Sequence, residues 1–445
     1  MTFRGALPER SAPFFTKRSF LISENKTVYG ADIKRLPLRE LLKRIGPGLV
    51  ATGIVIGPGA VTTAAMLGAD YGYSLVWLII PIIFMGITFM MTTNRLAIIT
   101  GMPTIHAIRK YYGRAAAYVV GIAVFMACLF FTMGNISGTG AGMNLIFGVN
   151  WKLGSVIMIA VVVYCYFAKN VYSKVEKIIT LCILVMIVSF YATLIGVGGP
   201  DWGAFGKGLV SFEIPEGSLA TALAFISTNA AVTSGIYATY LGKEKKWKKE
   251  DLFNGVMFTD ALVHIISVVL ISGAIILVGA VVLHPQGLSI SAPAQLAELL
   301  VPIMGGAARY IMGLALLGAG FSSLLANTQR GMVLLGAGLD KDVSLESKFI
   351  RIGCLICLAF AMVICYSYDG SPTQLILMAN IATSIATPVG GLFILLLLWR
   401  NDVNEGYKKP TVLRICMTIS YIFALIMTGS ALSGQLPKLM ALFGL

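Results

Sequence analysis

The chain has 445 residues, of which 57% are apolar and only 12% are charged. This composition excludes an ordinary soluble domain and predicts an all-α polytopic membrane protein. The net charge of +14 does not indicate a nucleic-acid partner, because Lys and Arg alternate between loops in the pattern that topology imposes on membrane proteins. The partner that composition does require is the lipid bilayer.

Apolar runs of roughly 20 residues, the length that crosses a bilayer, recur along the chain. They predict about eleven spans, near residues 46–69, 74–100, 115–147, 153–169, 174–198, 217–241, 254–284, 304–338, 347–367, 373–399 and 411–435. The basic loops predict a cytoplasmic N-terminal tail, residues 1–44, and an external C-terminus in the cell (plasma) membrane. Residues 45–435 form the predicted transmembrane domain.

The first span contains the tetrapeptide Gly57-Pro58-Gly59-Ala60. Proline removes a backbone donor and glycine weakens a helix, so the tetrapeptide predicts a break. A break inside lipid is tolerated where the freed backbone groups line a cavity or contact protein. The motif therefore predicts a binding site.

The sixth span carries a second unusual stretch, residues 227–235, which is small and polar. Discontinuous segments at corresponding positions of two halves indicate a transporter site built on repeats. The predicted repeats cover about residues 45–198 and 217–399, followed by span 11 at about 411–435. The substrate is expected to bind between spans 1 and 6.

Three segments are similar to the Nramp family of divalent-metal transporters: Gly46-Pro47-Gly48, the stretch 68–77 and Ser322-Ser323. The resemblance runs from about residue 45 to 435. It implies a leucine-transporter-type fold, in which spans 1–5 and 6–10 are inverted repeats and an eleventh span is added.

The side-chain metal ligands of that family are absent from this chain. Family transporters carry Asp-Pro-Gly-Asn at the first break, where the Asp and Asn positions correspond to Gly57 and Ala60. They carry Met-Pro-His at the second break, which corresponds to Ala231, Val232 and Thr233. The resemblance therefore implies a divergent branch.

Other functional positions of the family differ as well. Two acidic residues that serve proton movement in family span 3 correspond to Asn135 and Gly138, and a Gln that lines the site in family span 10 corresponds to Asn380. Loss of the acids weakens the case for proton coupling of the family kind.

A dehydrated dication needs negative charge nearby, and no carboxylate is predicted at either break. The N-terminus of the second half of span 1 instead favours an anion. We therefore expect secondary transport of a small anion such as bicarbonate. A divalent cation, Mg²⁺ or Mn²⁺, is the alternative, and a transport-inactive receptor is a third possibility. The expected substrate-binding residues are Gly57, Pro58, Gly59, Ala60, Thr62, Thr228, Asn229, Ala231, Thr233 and Asn380.

Three side chains of span 8, Ser322, Ser323 and Asn327, supply oxygens that suit Na⁺. Sodium symport is the first expectation, and uncoupled or proton-linked transport is the alternative. No nucleophile–base constellation is found in the spans, so we expect neither an enzyme nor a cofactor.

Three ionisable residues inside predicted spans are candidates for a role in transport. Asp260 and His264 share one face of span 7 and are either a proton relay or a polar pair near the entrance. Arg330 in span 8 either faces the inner pathway or extends to the membrane surface.

Overall fold

The computed structural model describes residues 29, 33–44, 52, 55–167, 184, 187–241, 247–291, 293–368, 371–384 and 386–441. The described residues are nearly all helical and contain no sheet, so the predicted all-α class is confirmed. Most of the tail before residue 33, the Gly46-Pro47-Gly48 segment and residues 168–183, the beginning of predicted span 5, lie outside the described residues.

Within those ranges, eight helices are long and apolar enough to cross a membrane. They are spans 2, 3, 6, 7, 8, 9, 10 and 11, at Val76–Thr100, Thr104–Phe147, Leu219–Leu241, Val256–Gln286, Val301–Leu339, Lys348–Ser367, Pro372–Trp399 and Thr411–Ser430. Shorter apolar helices at Trp151–Phe167 and Ile187–Gly196 occupy the positions of spans 4 and 5. The helix Pro58–Tyr71 is the second half of span 1.

The break predicted in span 1 lies at Ile56 and Gly57. Thr52 and Val55 are helical, Gly57 is extended (φ −107°, ψ −179°), and a new helix begins at Pro58. Proline suits this first helical position, because its missing N–H would have no partner within the helix there. The tetrapeptide therefore starts the second half-helix as well as ending the first.

Span 6 is also interrupted. One helix, Leu219–Asn229, ends before Ala230, which has a non-helical conformation (φ −120°, ψ 36°), and the next helix begins at Val232. The interruption falls inside the small, polar stretch 227–235, as predicted.

A third break, in span 10, was not predicted. Helices Pro372–Thr383 and Ala386–Trp399 are separated at Ser384. Pro388 has no N–H to donate to the Ser384 carbonyl one turn earlier. Thr428 of span 11 donates a hydrogen bond to that carbonyl at 3.2 Å, so span 11 supports the break.

Glycines bring the helices that surround the first break close together. A Cβ built on Gly68 of span 1 would lie 2.1 Å from the carbonyl oxygen of Ile276 in span 7. A Cβ on Gly121 of span 3 would lie 2.6 Å from the Cα of Gly338 in span 8. Small residues at such positions let membrane helices approach closely, and these contacts place span 7 against span 1 and span 3 against span 8.

The end of the bundle that is predicted to be cytoplasmic contains a network that we call the loop-end cluster: Arg44, Lys248, Asp251, Asn254 and Val256. Asp251 accepts hydrogen bonds from Arg44 Nη1 at 2.9 Å, from Asn254 Nδ2 at 2.8 Å and from the Lys248 backbone N–H at 2.8 Å. Asn254 Oδ1 accepts from the Val256 N–H at 3.1 Å. The cluster joins the segment before span 1 to the start of span 7.

Candidate functional site

Two buried amide side chains face the break in span 1. Asn135 of span 3 and Asn380 of span 10 are both 0% exposed. A Cβ built on Gly57 would lie 2.7 Å from Asn135 Oδ1, and a Cβ on Gly59 would lie 2.7 Å from Asn380 Oδ1. Glycine is therefore required at both positions so that the amides can approach the backbone.

Neither amide has a hydrogen-bond partner within the described part of the chain. Leaving a buried polar group unsatisfied costs about 1–3 kcal/mol, so an unpartnered side chain at this depth calls for an explanation. Two of them flanking one break indicate that a water molecule or an ion completes their bonding. Asn94 of span 2 is also buried and unpartnered, but it is not among the nearest neighbours of Gly57 or Gly59.

Ser323 of span 8 completes what we call the break cluster: Gly57, Gly59, Asn135, Ser323 and Asn380. Its Oγ would lie 2.9 Å from a Cβ on Gly57. Spans 1, 3, 8 and 10 thus meet at one point, and amide and hydroxyl oxygens converge on the extended backbone of the break.

Three further predicted residues of span 1 are buried. Thr62 is fully buried, and its Oγ1 has no hydrogen-bond partner among the described residues. Pro58 packs against Gly138 of span 3, where a Cβ would lie 2.0 Å from Pro58 Cβ. Ala60 is buried and 2% exposed.

The break in span 6 borders a small cavity of about 10 Å³. Ala231, Thr233, Ser234, Arg330 and Val55 are among the residues that line it. A space of this size holds roughly one water molecule. Val55 is the last helical residue before the span 1 break, so the cavity connects the two breaks.

Other predicted residues of span 6 are already bonded within the protein. Asn229 Nδ2 donates to the Phe225 carbonyl at 2.7 Å, and its Oδ1 accepts from Ser272 Oγ at 3.0 Å. Thr228 also lines the cavity, but its hydroxyl donates to the Ala224 carbonyl at 2.7 Å. Asn229 therefore links spans 6 and 7.

Arg330 does not extend to the membrane surface, because its side chain is buried and the residue is only 5% exposed. Its Nη2 donates to Asn327 Oδ1 at 2.5 Å, and its Nη1 lies 3.5 Å from Ser234 Oγ. The guanidinium carbon is 5.9 Å from the centre of the Phe131 ring. Its Nε has no partner among the described residues.

The three predicted Na⁺ ligands lie in different surroundings. Ser323 is in the break cluster, whereas Ser322 Oγ donates to the Ala319 carbonyl of its own helix at 3.1 Å. The amide oxygen of Asn327 accepts from Arg330. A role for these residues in coupling stays a prediction, and only Ser323 among them adjoins Gly57.

Asp260 and His264 are buried in span 7. His264 Nδ1 lies 2.8 Å from the hydroxyl of Thr52 in the first half of span 1. His264 thus adjoins the half-helix that precedes the break, and a role of the Asp260–His264 pair in moving protons stays a prediction.

Charged and sulfur ligands are not gathered anywhere in the described residues, where no group of three or more His, Cys, Asp and Glu could hold a metal ion. The side-chain oxygens of the break cluster itself are neutral, since they belong to two amides and one hydroxyl.

Comparison with known proteins identifies the scaffold. Residues 48–433 match the family described as Natural resistance-associated macrophage protein-like, or Nramp. The chain is 25% identical over 365 residues to the "Divalent metal cation transporter MntH" of Mesorhizobium japonicum, covering 79% of each protein. It is 25% identical over 310 residues to the protein of the same name from Yersinia pestis, covering 68% of this chain and 75% of the relative.

Solved structures show the same architecture. The manganese transporter of Eremococcus coleocola superposes with a TM-score of 0.70 at 17% identity, covering 93% of this chain and 94% of the other. Mhp1, a nucleobase-cation-symport-1 family transporter, superposes with a TM-score of 0.56 at 14% identity, over 90% of this chain and 92% of the other. The expected leucine-transporter-type fold is confirmed.

These relatives overturn the expectation of a small-anion cargo such as bicarbonate, which is wrong. The relatives are named for divalent metal cations, and the structure supplies the physical reason for the error. The expectation relied on the helix dipole and the missing carboxylates, and it gave little weight to amide oxygens that spans 3 and 10 bring to the break. The match over residues 48–433 shows that this chain belongs to the Nramp family.

Proposed function

We propose that this protein is a secondary transporter of a divalent metal cation, with Mg²⁺ as the favoured cargo and Mn²⁺ as the alternative. The observation that carries the proposal is the pair of buried, unpartnered amides, Asn135 and Asn380, against the glycines of the span 1 break. The names of the similar proteins support the same class of cargo.

The ligand types favour Mg²⁺ within this class. Hard cations bind oxygen, and Mg²⁺ gives up its water reluctantly, so it is usually held through a few protein oxygens and several retained waters. Asn135 and Asn380 can provide such contacts, directly or through water. The methionine that the family resemblance places at the second break is replaced by Ala231, which removes the soft ligand that would favour a transition metal.

A neutral site also has a consequence for coupling. Carboxylate ligands would exchange protons for metal, whereas amides and hydroxyls do not titrate near neutral pH. In this proposal Na⁺ is the first candidate for a coupling ion, with Ser323 as its closest candidate ligand, and H⁺ is the alternative. The protein acts in the plasma membrane with its N-terminus in the cytoplasm.

Uptake into proteoliposomes tests the proposal. We expect the purified protein to accumulate Mg²⁺, measured with an enclosed fluorescent indicator, and we expect Mn²⁺ to compete. Asn380→Ala should lower uptake by about tenfold or more, since one ligand contact is lost. Asn144→Ala is the matched control, because this exposed amide contacts only the Val149 carbonyl near the end of span 3. Absence of uptake of either cation by the wild-type protein would refute the proposal.

A charge-restoring variant gives a pH-dependent test. Asn380→Asp should bind the cation more tightly at high pH than at low pH, because a buried carboxyl stays protonated until pH rises or a cation replaces the proton. The wild-type affinity should show no such rise, since its ligands do not titrate. Isothermal titration with Mg²⁺ between pH 6 and 9 measures the affinities of Asn380→Asp and of the wild-type protein. An identical dependence of affinity on pH for the two proteins would show that Asn380 lies outside the site.

A further inference from the structure

Arg330 is a buried cation without a carboxylate partner. None of the ion pairs formed among the described residues includes it, and its contacts include the neutral groups of Asn327, Ser234, Phe131 and the Cys128 thiol. A buried guanidinium is costly unless it is paired. Ionisable residues inside membrane spans tend to face cavities and to mark ion pathways.

The guanidinium stands next to the proposed cation site. Ser323, in the break cluster, precedes Arg330 by seven residues on the same helix, which corresponds to about 10 Å along the helix axis. Arg330 also lines the small cavity with Val55 and Ala231, one residue from each of the two broken spans. A cation at the break therefore has a fixed positive charge as a near neighbour.

We propose that Arg330 sets the affinity of the site by weakening cation binding at the break cluster, and that it thereby speeds release toward its own end of the bundle. This inference rests on the proposed function. The two residues lie about 10 Å apart along the helix axis, and a unit charge at such a separation from a dication, at an effective dielectric constant of about 20, weakens binding by a factor on the order of a hundred. The repulsion acts through protein, so salt in solution screens it little.

A site weakened in this way suits an abundant cation. Mg²⁺ is plentiful in cells and a transporter for it needs no tight site, whereas a scarce cation such as Mn²⁺ must be captured at low concentration. Arg330 thus adds an electrostatic reason for the Mg²⁺ assignment to the one given by the oxygen ligands.

Two variants separate the charge of Arg330 from its role in joining spans 6 and 8. Arg330→Lys keeps the charge but loses the planar fork that reaches Ser234 and Asn327. Arg330→Gln removes the charge and keeps a polar side chain. If the charge of Arg330 governs the affinity for Mg²⁺, the two variants will differ in that affinity. If the contacts with Ser234 and Asn327 govern it, the affinities of both variants will change in the same way.

Equilibrium binding of Mg²⁺ to the purified full-length variants, measured by isothermal titration, provides the test. We expect Arg330→Gln to bind about a hundredfold more tightly than wild type, and Arg330→Lys to bind with nearly the wild-type affinity. Arg414→Gln is the control, because Arg414 is also buried and donates to the Leu398 carbonyl at 3.0 Å in span 10, away from the breaks. The Arg414→Gln variant should bind Mg²⁺ with the wild-type affinity.

Uptake measurements complete the design. Arg330→Gln should saturate at a lower Mg²⁺ concentration and show a lower maximal rate, because release becomes slow. Thermal melting of each variant checks that it is folded, and Arg330→Met provides a second charge-free side chain. Unchanged or weaker binding by both folded charge-free variants would overturn the inference and leave the proposed function standing. Failure of every variant and of wild type to bind a divalent cation would overturn the proposed function together with the inference.

Discussion

Asn254 in the loop-end cluster and Asn135 in the break cluster are the same residue type at nearly the same burial, 5% and 0% exposed. Asn254 uses both ends of its amide, donating to Asp251 and accepting from the Val256 N–H. Asn135 uses neither end within the described structure. The amide of Asn254 is committed to holding helices together, while the amide of Asn135 is left available to a ligand.

The backbone around each residue explains the difference. Asn254 lies where a loop enters span 7, and the first free N–H groups of a helix need acceptors. Asn135 lies inside span 3, where the helix backbone satisfies itself, so its side chain is free to face the neighbouring break. Gly57 opens the space that the amide oxygen enters.

The strongest challenge to this comparison is Asn135→Leu, a change of similar volume. We expect transport to fall by about a hundredfold, since a ligand contact and its polarity are both lost. We expect the free energy of unfolding to stay the same or rise by about 1 kcal/mol, because an unsatisfied polar group is removed from the interior. Proteoliposome uptake and chemical denaturation measure the two effects. A large loss of stability would show that Asn135 is structural.

The reciprocal change, Asn254→Leu, should have the opposite profile. Asp251 loses a donor and the Val256 N–H loses its acceptor, which should lower the free energy of unfolding by about 1–3 kcal/mol. Uptake per folded molecule should remain near the wild-type rate. Denaturation compared with that of Asn144→Leu, whose residue is exposed, isolates the effect. If Asn254→Leu is as stable as Asn144→Leu, then the amide of Asn254 does not stabilise the fold, and the difference proposed between the loop-end cluster and the break cluster is wrong.

A smaller effect is expected where span 11 supports the break in span 10. Thr428→Val removes the hydrogen bond to the Ser384 carbonyl and should cost about 1 kcal/mol. Thr88→Val in span 2 is the matched control, because Thr88 is also buried and donates to the Phe84 carbonyl within its own helix at 2.7 Å. The Ser384 carbonyl also accepts from the Thr387 N–H at 3.2 Å, and equal melting temperatures for the two variants would show that this bond satisfies the carbonyl without Thr428.

The spans and two of the three breaks could be predicted because their causes are local. Apolar length, Pro58 between glycines and the polar stretch 227–235 each act within a few residues. Pro388 is an equally local sign of the break in span 10. The burial of Arg330 depends on what surrounds its helix, so the sequence alone left both of its orientations open.

The cargo could not be deduced for a different reason. Asn135 and Asn380 are far apart in the sequence, and the family resemblance, which marks both positions, does not show whether their amides have hydrogen-bond partners. Only the packing of spans 3 and 10 around span 1 brings both amides to the same break. Their lack of partners, which is the informative property, is a feature of the folded structure.

The contact between Gly138 and Pro58 limits how this chain can change. By resemblance, position 138 corresponds to an acidic residue in family metal transporters, yet any side chain there would begin 2.0 Å from Pro58 Cβ. No single substitution can reinstate the acid without displacing the proline that starts the second half-helix. Evolution could restore the acid at position 138 only after the backbone of the break had moved, so the loss of this acid is hard to reverse.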